Sequence, residues 1–129
     1  MIKYFNAQDL QIRVEEIVTL LRFDHIDLDK VRCVRSRGSS SKNTIARIHG
    51  LNRIWQHTLE REPIYIIEVI SEKFDKLSRG DKDRTLIHEL LHIPRCFGGG
   101  FRHHKTHVTE KNVNLWYGRL QQMRRAYKD

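Results

Sequence analysis

This 129-residue chain has little cysteine, no long apolar run and fewer acidic than basic residues, and each shortage narrows what it is. Its two cysteines, Cys33 and Cys96, lie far apart and match no Cys-x-x-Cys spacing. That usage is consistent with a reducing compartment, although the two thiols could also pair. No stretch approaches the roughly 20 apolar residues of a membrane span, and no basic-then-apolar leader opens the chain. The expected setting is therefore soluble and cytoplasmic, with no membrane partner. No internal repeat is visible, and the one low-complexity stretch, Gly38-Ser39-Ser40-Ser41, reads as a turn between two strands. A chain of this length buries about two-thirds of its unfolded surface, enough for one core without staples. Residues 1–129 are thus expected to form a single domain.

What the chain does have is Thr85-Leu86-Ile87-His88-Glu89-Leu90-Leu91-His92-Ile93, an HExxH run set among apolar residues. On a helix, residues four apart share a face with Cβ atoms roughly 5–6 Å apart, so His88 and His92 can converge on one tetrahedral ion. Glu89 is not needed as a ligand, which leaves its carboxylate free to take a proton from a metal-bound water. Eight histidines make a chance match less improbable than usual. The setting argues otherwise: a largely buried helix rarely carries three unpaired polar side chains, each costing a few kcal/mol without a partner. A zinc ion would be that partner.

A catalytic zinc site keeps three protein ligands and one open position, so a third ligand should lie downstream. Candidates crowd into Phe101-Arg102-His103-His104-Lys105-Thr106-His107. The metzincin spacing needs a Gly and a His where Arg95 and Gly98 stand, and is excluded. Glu110, with seventeen residues between it and His92, is a secondary candidate of the gluzincin kind. Gly98, Gly99 and Gly100 favour a sharp reversal that returns the His103 to His107 segment toward the metal. One of its three histidines is the expected ligand.

Most of the chain resembles the SprT-like and phage/archaeal metallopeptidases, small zincins. The residues that carry the likeness are Ala46-Arg47-Ile48, Ile54-Trp55, Tyr65 to Ile70 with Phe74 and Leu77, His88 to Pro94, Phe97 to Gly100, and Arg102-x-His104-Lys105. The resemblance implies zinc as cofactor, protein or peptide as substrate, and His104 as third ligand, with His103 and His107 accessory. Lys105 stands where SprT proper has a glycine, so the nearer likeness is to the phage/archaeal branch.

The coarse pattern gives an order of elements. Leu10, Val14, Ile17, Val18 and Leu21 recur at helical spacing over residues 7–22. Lys30 to Arg37, Thr44 to Leu51 and Arg53 to Leu59 read as short strands, and Pro63 to Val69 as the clearest one. Asp81 or Asp83 is expected to cap the HExxH helix. Thr109 should cap a last helix, with Val108 and Val113 as a hydrophobic staple. Val113, Trp116, Leu120, Met123 and Tyr127 form its core stripe. The expected fold is α+β: a minimal zincin-like domain with an N-terminal helix, a small mostly antiparallel sheet, the HExxH helix and a C-terminal helix.

If the strand from Pro63 to Val69 lies beside the metal helix, its outer edge can hold a substrate by β-addition, with low sequence specificity. Arg102, His103 or His107 are candidates to stabilise the oxyanion. Cys96, four residues past His92, is more simply a free thiol than a ligand.

Charge adds a second hint. Twenty-four Lys and Arg against sixteen Asp and Glu leave +8, which favours a polyanionic partner such as DNA. Lys30, Arg32, Arg35, Arg37 and Lys42 would track phosphates if they share one side of their strand, and Arg119, Arg124, Arg125 and Lys128 form a second group. Aromatics are not interleaved with either as a stacking platform requires. The resemblance adds proteases that act near DNA. The rival from another class is a nucleic-acid-binding module with a structural zinc, which a fourth protein ligand such as Cys96 or a second His would reveal.

Overall fold

A computed structural model describes residues 1–128 as an α+β arrangement with helices on one face of a four-stranded mixed sheet. Strand β1 (Lys3–Asn6) leads into helix α1 (Gln8–Leu20), and a 3-10 turn at Leu28–Lys30 enters β2 (Val31–Arg37). Then come β3 (Ala46–Gly50), α2 (Arg53–Leu59), β4 (Tyr65–Ile70), α3 (Ser71–Phe74), α4 (Arg79–Leu91) and α5 (Glu110–Lys128). The strand order is β1-β2-β4-β3, with β2 and β4 parallel and the two outer pairs antiparallel. A parallel pair cannot be joined by a tight turn, and here β3 and α2 fill the crossover.

Register decides which side chains face the helices. Val31 pairs with Tyr65 and Cys33 with Ile67, which places these four with Val69 on the covered face. Against them pack Leu10, Val14 and Ile17 of α1, Leu86, Ile87 and Leu90 of α4, and Leu120 of α5. Each such fully buried side chain contributes roughly 1.5–3 kcal/mol. The expected cap and staple of α5 are present: Asn112 N–H donates to Thr109 Oγ1 at 3.1 Å, and Val108 and Val113 are both buried. The stripe leaves the core before the last turn, where Tyr127 is 75 % exposed.

Three expectations are corrected. Residues Arg53–Leu59 form α2, not a strand. Ile54 and Trp55 suggested a strand, but Asn52 Oδ1 accepts the Trp55 N–H at 3.2 Å and Glu60 turns left-handed at φ +53°. Helix signals at both ends thus outweigh the β-propensity of two residues, which remain exposed. Likewise Ser78, and neither Asp81 nor Asp83, caps α4 by accepting the Asp81 N–H at 3.1 Å. Finally, the basic residues of β2 do not share a side. Arg32 and Arg35 pair with Ile66 and Val69, on opposite faces of the sheet. Arg35 is bound to Asp9 at 2.6 Å and Asp75 at 3.0 Å, and Lys30 to Glu62. A one-sided phosphate stripe is not formed.

Two buried carboxylates organise the polar interior. Glu68, at the centre of the sheet's uncovered face, accepts from Ser36 Oγ at 2.6 Å and Arg47 Nε at 3.0 Å and lies 2.8 Å from His49 Nε2. Asp83 is only 1 % exposed and joins three helices: Arg13 of α1 donates at 2.9 Å and Arg124 of α5 at 2.6 Å. Burial pushes the Asp83 carboxyl up, but the hydrogen bonds from Arg124 and Arg13 outweigh it and hold the group below its ordinary value.

A folded-state value below the unfolded one means the stabilisation is present above the unfolded carboxylate range and is lost as pH falls through the folded value. Acid unfolding should therefore set in below about pH 4, the ordinary carboxylate range, in a thermal melt series. Asp83→Asn should cost about 3 kcal/mol near neutrality, because it leaves two guanidiniums without their buried partner. Its melting temperature should also fall less steeply with acid than the native protein's. An unchanged acid slope would remove Asp83 from this role.

Candidate metal centre

Helix α4 delivers His88 in its last turn, and His92 follows as its C-cap residue, still in a helical conformation. Both imidazoles therefore sit at the negative end of the helix dipole, which favours a cation there. Pro94 and Phe97 then turn the chain, with Phe97 N–H donating to the Pro94 carbonyl and Phe97 at φ +49°. Of the three glycines, Gly99 is the one that the turn requires. Its φ is +97°, and a Cβ there would lie 2.2 Å from the Leu51 carbonyl oxygen.

Tyr65 holds this turn in place. Its hydroxyl accepts the Gly99 N–H at 2.8 Å and donates to the Gly100 carbonyl at 2.7 Å. Gln56 of α2 adds a bond to the Gly98 carbonyl at 2.8 Å. Past the turn, Arg102 N–H donates to the His92 carbonyl at 2.8 Å, and His92 Nδ1 lies 3.0 Å from the Arg102 carbonyl. That carbonyl can only accept, so Nδ1 carries the proton and Nε2 presents its lone pair.

His104 thereby meets the helix pair. The ring centroids of His88, His92 and His104 are 4.5–5.2 Å apart, and one nitrogen from each lies within 4.8 Å of the others. Nε2 of His88 and Nε2 of His104 are 3.3 Å apart. Two nitrogens held at about 2.0–2.1 Å by one tetrahedral zinc stand about 3.3 Å apart, so this pair fits such an ion, and the His92 donor lies within 4.8 Å of both. Among the described residues this group contains no Cys96, His103, His107 or Glu110. Glu110 instead lines a cleft of about 730 Å³ with Thr44, Ala46, His88, Glu89 and His104.

The electrostatics suit the same purpose. Burial, with the neighbouring charges of His92 and His104, pushes His88 down to about 4, and burial also lowers His92. Both are neutral at ordinary pH, the state in which imidazole binds a metal. Glu89, 6 % exposed and 4.0 Å from His88 Nε2, is pushed up by burial to about 7. A carboxylate poised there exchanges its proton readily near neutrality.

The strand from Pro63 to Val69, expected to present an outer edge beside the site, has none. Strand β4 is internal, hydrogen-bonded on both sides, whereas β3 is at an edge and its Ala46 lines both clefts beside His88 and Glu89. Tyr65, Gln56 and the Arg102 backbone were not legible as site residues. Tyr65 shows only as a strand aromatic, and Gln56 sits in the segment misread as a strand.

Comparison with protein families matches residues 2–129 to the family described as "Putative phage metallopeptidase". No curated protein and no solved structure matches the chain.

The turn's dependence on one glycine is open to a direct check. Gly99→Ala should destabilise the protein by roughly 1–3 kcal/mol through its left-handed backbone and the Leu51 contact. Gly100→Ala, whose Cβ meets nothing within 4 Å, should change denaturant stability by less than about 0.5 kcal/mol. Equal losses would show that the turn is set elsewhere.

Proposed function

Because the chain belongs to the phage metallopeptidase family, we propose that it hydrolyses peptide bonds within one domain, residues 1–129, using zinc held by His88, His92 and His104 and Glu89 as general base. The observation that carries this reading is the pair of imidazole nitrogens at 3.3 Å, completed by His92 and flanked by a buried, otherwise unemployed carboxylate. Zinc at this position supplies Lewis acidity, polarising a carbonyl oxygen and lowering the pKa of water to about 7.

The chain's own residues do the rest. Glu89 takes the proton of the attacking water and passes it to the leaving amine nitrogen. The free edge of β3, Ala46–Gly50, offers backbone N–H and C=O groups that align an extended peptide across the cleft. Backbone pairing reads little of the side chains, so low sequence specificity is the consequence. Of the three residues expected to assist the oxyanion, His103 lines a cleft with His88, Glu89 and His92. Arg102 lines that cleft too and also reaches the separate cavity that His107 lines, where its charge bears on His25.

The structural-zinc alternative needs a fourth protein donor, and among the described residues none joins the three histidines. The finer reading, that substrates are DNA-associated proteins, rests on the net charge of +8. It requires that DNA affinity fall with salt, and a slope near zero would remove it.

Purified protein should carry about one zinc per chain, and chelation should abolish hydrolysis of an unfolded protein until zinc is restored. Glu89→Gln should keep its metal and lose about 10²–10⁴-fold in turnover. His104→Ala should empty the site, whereas His107→Ala and Glu110→Ala should not. Full turnover in Glu89→Gln, or metal lost on replacing Glu110 rather than His104, would overturn the assignment.

A further inference from the structure

The face of α4 opposite the histidines carries a second cavity, of about 380 Å³, floored by Leu90 and Leu91. Three arginines line it: exposed Arg22 from the end of α1, exposed Arg95 from the turn after His92, and Arg102 from the returning segment, which also lines the histidine cleft. Asp24 is the acidic residue on its lining, so the formal charge is three minus one, or +2. Of the fifteen arginines, five are paired with carboxylates: Arg13, Arg35, Arg47, Arg84 and Arg124. Among the described residues no ion pair or hydrogen bond uses the side chain of Arg22, Arg95 or Arg102, although the Arg102 backbone bonds to His92. Three elements thus bring unspent cations to one concavity.

Arg22 carries an independent sign. It occupies the position just past the α1 C-cap at φ +54°, where Phe23 N–H donates to the Val18 carbonyl at 3.0 Å. That place in a helix terminus favours glycine, since a Cβ is strained in the left-handed region. The chain thus places a long cation at the mouth of the cavity, at a position whose backbone glycine would suit better. Beside it His25 is held below its ordinary value by burial, with the charges of Arg102 and Arg95 adding to the effect. Trp116 supplies an aromatic wall, edge-on to Phe23 at 4.9 Å.

We propose that this cavity binds a phosphate or phosphate-monoester dianion, which its net charge of +2 neutralises and its forked guanidinium donors match in geometry. The site is linked to the histidine cluster through one residue. Arg102 would hold the anion with its side chain while its backbone makes both hydrogen bonds to His92. Occupancy therefore restrains a candidate metal ligand from behind.

Titration calorimetry tests this with inorganic phosphate and with a nucleoside monophosphate, on metal-loaded and on chelator-treated protein. One saturable site per chain is expected in both preparations, weakened about tenfold by Arg22→Gly and again by Arg95→Gln. Arg22→Gly should at the same time raise the melting temperature, because it relieves the backbone, so lost binding cannot be put down to misfolding. Equal affinity for the two probes identifies free phosphate as the ligand; tighter nucleotide binding identifies an ester whose base uses Trp116. Absence of saturable binding, binding indifferent to both substitutions, or binding that disappears with the metal would each overturn the proposal. The chelated arm does not depend on the peptidase reading and separates its failure from this one.

Discussion

A phenolic hydroxyl at the start of β4 is the contact on which the histidine cluster rests. Of the three converging histidines, His104 alone is exposed and belongs to no helix or strand, so packing does not place it. It is placed by what precedes it: Tyr65 clamps Gly99 and Gly100, and Arg102 then zips onto the His92 backbone. Each such bond is worth only about 1 kcal/mol net. They act in series, however, and a loop pinned at several backbone points has little freedom left to misplace the next side chain. Tyr65 is itself fully buried and packed edge-on against Phe97 at 4.9 Å, so the clamp is anchored in the core.

Helix α4 divides its labour along its length. Its first half is fixed by charge, through Asp83 and the arginines of α1 and α5. Its second half is fixed by Leu86, Ile87, Leu90 and Leu91, which leave His88 and Glu89 to the cleft and turn Leu90 and Leu91 toward the arginine-lined cavity. A rigid helix with a reactive face and a second concavity behind it is a compact way to let a bound anion bear on metal ligation. The two sites meet at His92 and Arg102, and Arg102 lines both.

The sheet adds orientation. Because β2 and β4 occupy the interior, the site's neighbour is the short edge strand β3, whose outer side pairs with no further strand among the described residues and whose Ala46 lines the cleft with Glu89. The inner strands serve instead to bury Tyr65, Ile67 and Val69 and to carry Glu68, whose bonds to Ser36 and Arg47 tie β2, β4 and β3 together on the uncovered face.

The HExxH run, the amphipathic α1, the Thr109 cap and the need for a turn at Gly98 to Gly100 were all readable from the chain, because each is a local pattern set by helical periodicity, capping chemistry or backbone sterics. Local patterns also misled where two of them competed, as at Ile54 and Trp55, whose β-propensity lost to caps at Asn52 and Glu60. What the linear order did not contain was adjacency. That β3 and not β4 lies on the edge, that Asp83 is a buried anchor and not a cap, that Arg32 and Arg35 face opposite ways, and that Tyr65 reaches Gly99 are all decided by strand order and helix packing. Residue types and their spacing determined which chemistry this chain can host; only the tertiary structure decided which groups meet, because contacts between residues tens of positions apart follow from the burial of whole elements rather than from any local preference.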